Sequence, residues 1–276
     1  MKRCPALKAP LRLRIQIGAL LSCVFLFGGL GSAGKAYAQE AATPARKAGT
    51  ASATPQSDAK GKTESNPLET RKILFLGNSI TLHGPAPAIG WLGNWGMAAS
   101  AQEKDFVHLV TSSLSRATGT AREVMVKNIA DFERQYATCD VDEKLKDQFA
   151  FGADLVILAI GENVPNLDSE EAKSRFGNSL MKLLRGLKAD HHPTIVVRSC
   201  FWPNQAKDQI LKQACQEVGG IFVDIGSLGK DESNYARSER KFAHGGVAAH
   251  PGDQGMQAIA DAILDAINNQ RGKETE

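Results

Sequence analysis

Three side chains in this 276-residue chain have the types that acyl transfer requires. Ser79 stands in Gly77-Asn78-Ser79-Ile80-Thr81, Asn163 follows Gly161-Glu162, and His250 precedes Pro251. A serine hydroxyl is a weak nucleophile and needs a histidine to accept its proton. The oxyanion that develops on the acyl group needs preorganised donors, which a backbone N–H and an asparagine side chain supply. Taken singly these residues say little: a Gly-Asn-Ser turn, a strand-end Asn and a His-Pro before a helix are common structural devices. Their meaning depends on the elements that carry them.

Those elements alternate between two periods. Short apolar runs rich in Val, Ile and Leu occupy residues 72–77, 123–129, 154–160, 194–199 and 220–225, as expected for strands buried on both faces. Helical stripes lie between them. Ala172, Phe176, Leu180, Leu183, Leu184 and Leu187 make one, and Met256, Ile259, Ala260, Ile263, Leu264 and Ile267 make the last. Asp168 and Glu171 stand where a capping pair would open the first of these helices. Strand–helix alternation predicts an α/β fold, a three-layer α/β/α sandwich around a parallel sheet of about five strands. In such sheets ligands bind at the carboxyl ends of the strands, near the reversal of strand order. Ser79 follows the first run, Asn163 the third, and His250 lies in the stretch after the fifth.

In this arrangement the chain resembles the SGNH/GDSL hydrolase superfamily. Residues 73–81 are similar to its first block, Gly161-Glu162-Asn163 to its third and His250-Pro251 to its last, over residues 71–269. The resemblance implies a flavodoxin-like domain in which Ser79 is the nucleophile, His250 the base, and Asn163 with the Ser79 N–H an oxyanion hole. It further implies a glycine N–H as another oxyanion donor, for which Gly96, ahead of Gly93, is the nearest match. No cofactor is implied, and neither CxxC nor HExxH is present to suggest a metal.

One position departs from the family pattern. Three residues before the histidine the family carries an aspartate, and here Val247 stands. Glu162 is the first candidate for the missing acid. The alternatives are Asp253, a backbone carbonyl, or a dyad with no acid at all; His244 suits orienting the loop, contacting substrate or simple exposure. Trp91 and Trp95 suit either a sugar-stacking surface or ordinary packing beneath a loop. His83 and the pair His191-His192 read as loop and turn residues.

The flanks set the setting. Lys2, Arg3, Lys8, Arg12 and Arg14, the apolar run 15–30 and Ala36-Tyr37-Ala38 form a signal peptide over residues 1–38. Residues 39–68 read as a disordered linker, 69–271 as the hydrolase-like domain and 272–276 as a tail. Residues 1–38 carry six basic and no acidic side chains, so the formal net charge of +3 becomes −3 without them. A basic patch for nucleic acid is therefore not expected, nor is a membrane span in the mature chain. Cys139, Cys200 and Cys215 remain, an odd number that allows one bridge at most.

The sequence thus predicts a periplasmic or secreted serine esterase acting on a small-molecule or carbohydrate acyl ester, O-acetyl groups on carbohydrate being one such class. A non-catalytic carbohydrate-binding module on the same fold and an acyltransferase are the rival expectations.

Overall fold

The computed structural model describes residues 70–274, so the expected signal peptide and linker lie outside the described residues. Five strands form one fully parallel sheet: β1 (Lys72–Gly77), β2 (Glu123–Asn128), β3 (Leu155–Ala159), β4 (Thr194–Arg198) and β5 (Ile221–Val223), in the order β2-β1-β3-β4-β5. Each lies within a run that its apolar composition marks as a strand. The helices among the described residues are α1 (Phe106–Thr118), α2 (Ala130–Gln135), α3 (Val141–Lys144), α4 (Lys146–Ala150), α5 (Glu170–Lys188), α6 (Gln205–Glu217), α7 (Ala236–Glu239), α8 (Gly245–Ala248) and α9 (Asp253–Glu274). The last continues past residue 271, where the sequence places the end of the domain.

The alternation of side chains along each strand divides the core in two. Leu74, Leu76, Val156 and Leu158 face Phe176, Leu180 and Leu184 of α5 and Leu211 and Cys215 of α6. Ile73, Phe75, Leu155 and Ile157 face Phe106, Val110 and Leu114 of α1 and Met256, Ile259 and Ile263 of α9. This is the three-layer sandwich that the strand–helix alternation predicts. The α5 cap is Ser169, whose Oγ accepts the Ala172 N–H at 3.1 Å, one residue beyond the Asp168 expected from the pattern. Cys139, Cys200 and Cys215 are all free, and burial pushes the Cys215 thiol up to about 11.

The strand order fixes where a site can form. The chain leaves β1 for β2 on one side, then crosses back to lay β3 on the other, so the order reverses between β1 and β3. Helices on opposite faces leave a crevice there, beyond the carboxyl ends of these two strands. The segments containing Ser79 and Asn163 open directly from them. Among the described residues no helix is long and apolar enough to cross a membrane.

Phe176 is fully buried against this sheet and makes an edge-to-face contact with Tyr136 at 5.3 Å. Phe176→Ala should destabilise the domain by about 3–5 kcal/mol, because the surrounding core closes only partly around the lost ring. Urea unfolding of the two proteins measures the difference.

Candidate active site

The β1 end is shaped by Asn78 and Gly77. Asn78 Oδ1 accepts the Ile80 N–H at 3.1 Å, and its carbonyl accepts Thr81 N–H and Leu82 N–H at 3.0 and 2.9 Å. This turn stops the strand and lifts Ser79 out of the sheet. Gly77 is required by close approach, since a Cβ there would sit 1.9 Å from Thr81 Oγ1 and 2.8 Å from the Ala159 carbonyl.

Across the crevice the stretch from α8 to α9 presents His250. Its Nε2 lies 2.8 Å from Ser79 Oγ, although the two residues are 171 positions apart. Its Nδ1 lies 2.7 Å from the Gly246 carbonyl oxygen. A carbonyl can only accept, so the ring proton resides on Nδ1 and Nε2 turns its lone pair toward the serine hydroxyl. Trp202 packs edge-on against the ring, centroid to centroid 5.4 Å at 89°. Burial holds the His250 pKa below its usual value, against the opposing pull of the Gly246 carbonyl and the more distant Glu162 charge. The imidazole is therefore neutral at neutral pH, the form that can accept a proton.

Glu162 does not stand behind His250, and the sequence expectation is corrected here. Its side chain is buried and both oxygens are engaged elsewhere. Oε1 takes Arg198 Nη1 at 2.6 Å and the Phe201 N–H at 2.9 Å, and Oε2 takes Asn78 Nδ2 at 2.6 Å. Burial alone would raise its pKa, but the Arg198 charge and these hydrogen bonds bring it below the usual carboxylate value. A backbone carbonyl, one of the alternatives open at the sequence level, occupies the position of the acid. Asp253 is also spoken for. Ser100 donates to it through N–H and Oγ–H, and Lys104 through Nζ–H. Burial opposes its ionisation, yet these donors and Arg240 bring its pKa down to about 2. Val247, in the family's aspartate position, is buried with Trp91 and Met97.

Gly96 is corrected in the same way. Its buried N–H donates to Asp105 Oδ2 at 2.9 Å and is not free for an oxyanion. Asp105 also caps α1 by accepting the His108 N–H, so one carboxylate ties the loop to the helix. Among the described residues the Ser79 N–H has no acceptor. Asn163 uses one N–H of its carboxamide on Glu133 Oε2 at 2.8 Å, which leaves the second.

Glu133 is the site residue that sequence reasoning missed. It is fully buried and accepts from Gly161 N–H (2.6 Å), Asn163 N–H (3.2 Å), the Asn163 carboxamide and Asn78 Nδ2 (3.3 Å). Burial, with the nearby Glu162 charge, raises its pKa despite these donors. The only sequence signal was a short apolar–acidic alternation in Ala130-Asp131-Phe132-Glu133.

Ser79, Asn163 and His250 line one cleft of about 490 Å³. Asn128, Asp131, Arg134, His83 and His244 give it a polar wall, and Ile89, Met97, Ala130 and Val247 a small apolar one. His244 caps α8, its Nδ1 accepting the Gly246 N–H at 3.1 Å. Trp91 and Trp95 pack edge-to-face at 5.6 Å and donate to the His83 and Ala99 carbonyls, which is the packing alternative. Among the described residues no three His, Cys, Asp or Glu side chains converge as a metal site.

No family model and no curated protein matches the chain. Solved structures do resemble it. A mutant acetyl-xylooligosaccharide esterase from Geobacillus Stearmophilus is 20% identical with TM-score 0.48, covering 71% of this chain and 94% of its own. A GDSL-like lipase from Bacteroides uniformis is 13% identical with TM-score 0.46, covering 72% and 96%. A family two carbohydrate esterase from Clostridium thermocellum, in complex with cellohexaose, is 17% identical with TM-score 0.48; the match covers 73% of this chain and 65% of that one.

Arg198 is wholly buried, and its ion pair with Glu162 tests how the site is held together. Arg198→Leu leaves the Glu162 charge enclosed without a counterion and should cost about 3–5 kcal/mol at neutral pH. The unpaired carboxylate then protonates more readily, so the gap from wild type should narrow as the pH falls toward 5. Urea unfolding at the two pH values reads both effects.

Proposed function

We propose that this protein is a serine ester hydrolase. The observation that carries the reading is the hydrogen bond between Ser79 Oγ and the unprotonated Nε2 of His250, at the mouth of a crevice that also holds Asn163. As the Ser79 oxygen bonds to the ester carbonyl carbon, its proton passes to His250 Nε2. The Ser79 N–H and the free Asn163 N–H stabilise the oxyanion. His250 then protonates the departing alcohol, leaving an acyl-serine. Water attacks this ester with His250 again as base, and the acid is released with Ser79 restored.

The Gly246 carbonyl supplies two of the functions that a carboxylate serves in a triad: it fixes the tautomer and orients the ring. This arrangement supports a catalytic role for His250 even with Val247 where an aspartate would stand. The polar wall suits a hydroxyl-rich alcohol portion, and the small apolar wall suits a short acyl group. An O-acetyl ester on a carbohydrate, met by an exported enzyme, is the substrate class this reading favours.

Ser79→Ala should lower kcat/KM for 4-nitrophenyl acetate by at least about 10³-fold, with only background binding and oxyanion stabilisation left. Unchanged hydrolysis by the purified variant would overturn the proposal. The pH profile offers a second check. Because burial holds the His250 pKa below its ordinary value, kcat/KM should rise with pH through a midpoint below that of a free imidazole and stay level above it. A midpoint above 7 would point to a carboxylate partner or to a different base.

A further inference from the structure

Asn163 can supply an oxyanion donor only if its carboxamide faces the right way. The oxygen and nitrogen ends of a carboxamide have nearly the same shape, and a half-turn exchanges two donors for an acceptor. In the structure each end meets a partner that accepts only one of these orientations. Asn163 Nδ2 donates to Glu133 Oε2 at 2.8 Å, and Asn163 Oδ1 accepts from Arg134 Nη2 at 3.3 Å. Turned over, the oxygen would face a buried carboxylate and the amino group a guanidinium. Either mismatch leaves a polar group unpaired, at a cost of about 1–3 kcal/mol each.

The two partners are neighbours in sequence, at one end of the six-residue helix α2. Glu133 points inward and is wholly buried, while Arg134 lies in the cleft wall and also pairs with Asp131 at 3.2 Å. The other Glu133 oxygen accepts Gly161 N–H and Asn163 N–H, fixing the backbone of the same turn. Gly161 has φ +125°, and a Cβ there would lie 2.4 Å from Cys200 Sγ, so the turn has little freedom to choose another path.

We propose that Glu133 and Arg134 are positioning residues that hold the Asn163 carboxamide from both ends, so that its remaining N–H is kept for the oxyanion beside Ser79. Neither touches the reacting atoms; they act through Asn163. The inference rests on the esterase reading for its chemistry, but the orientation of Asn163 can be read without turnover.

The experiment is a pair of double-mutant cycles with 4-nitrophenyl acetate, after wild type has been shown to depend on Ser79. Asn163→Ala should lower kcat about 10²- to 10³-fold, as loss of an oxyanion donor does. Glu133→Gln should lower kcat at least about tenfold with KM within about threefold, since its amino group must face a donor. In the Asn163→Ala background the same change should have almost no further effect, because coupled residues are not additive. Arg134→Ala, on an exposed side chain, should lower kcat a few-fold alone and leave Asn163→Ala unchanged. That cycle decides by itself if Glu133→Gln does not fold. Effects that multiply, or variants with wild-type kcat, would overturn the inference while leaving the esterase reading intact.

The second readout is the pair of Asn163 side-chain amide proton resonances. One proton bonded to a carboxylate and one free should give a widely split pair, and in Arg134→Ala or Glu133→Gln the splitting should collapse. An unchanged pair would overturn the inference whether or not the protein hydrolyses esters. Inactive wild type with the expected collapse would instead sink the esterase reading alone.

Discussion

Two carboxylates enclosed beneath the crevice, Glu133 and Glu162, impose the arrangement of almost everything around them. A buried carboxylate is costly unless donors surround it, and two near each other oppose one another's ionisation. The donors that satisfy this pair are the parts of the site itself. Asn78 donates to both. Gly161 N–H and Asn163 donate to the first, and Arg198 and Phe201 N–H to the second. Placing the charges and placing Ser79 beside Asn163 are therefore one structural problem with one solution. The ends of β1, β3 and β4 and the second half of α2 are bound to the same few atoms.

The parts of this arrangement that follow local rules were legible in the sequence. Strand runs buried on both faces announce themselves by composition, and the glycines and polar residues that follow them mark the strand ends. Ser79, Asn163 and His250 could be assembled from that reading because each sits next to an element boundary. What could not be read is pairing across the sheet. Glu162 adjoins Asn163, which makes it look like part of the reacting group, but its partner is Arg198, a lone charge at the end of an apolar run. Nothing in the order of residues joins positions 162 and 198. Glu133 was hidden for a related reason: it lies between Asp131 and Arg134, both solvent-facing, on a helix too short to show a period. Gly96 illustrates the converse error, since a glycine at a plausible position says nothing about where its N–H points.

The surroundings of His250 differ in kind from those of a triad whose third member is a carboxylate. There a full negative charge stabilises the imidazolium as it forms, and its removal is worth about 10⁴ in rate. Here the contact partner of Nδ1 is a neutral dipole, and the nearest carboxylate of consequence acts from a distance. Glu162 raises the affinity of His250 for a proton without touching it. The acid expected at the site is thus present as a field rather than as a contact. Burial outweighs that field, which keeps the ring neutral.

The segment from His244 to His250 contains its own scaffolding. His244 caps the short helix α8, Gly246 lends its carbonyl to the ring one turn onward, and Val247 anchors the helix in the core. In a triad with a distant carboxylate, the base depends on two separate regions of the chain staying in register. Here the acceptor that fixes the tautomer lies four residues before the imidazole in the same short segment, with Trp202 packed against the ring. The ring and its acceptor therefore travel together: a shift of this short stretch moves both and leaves the hydrogen bond between them in place.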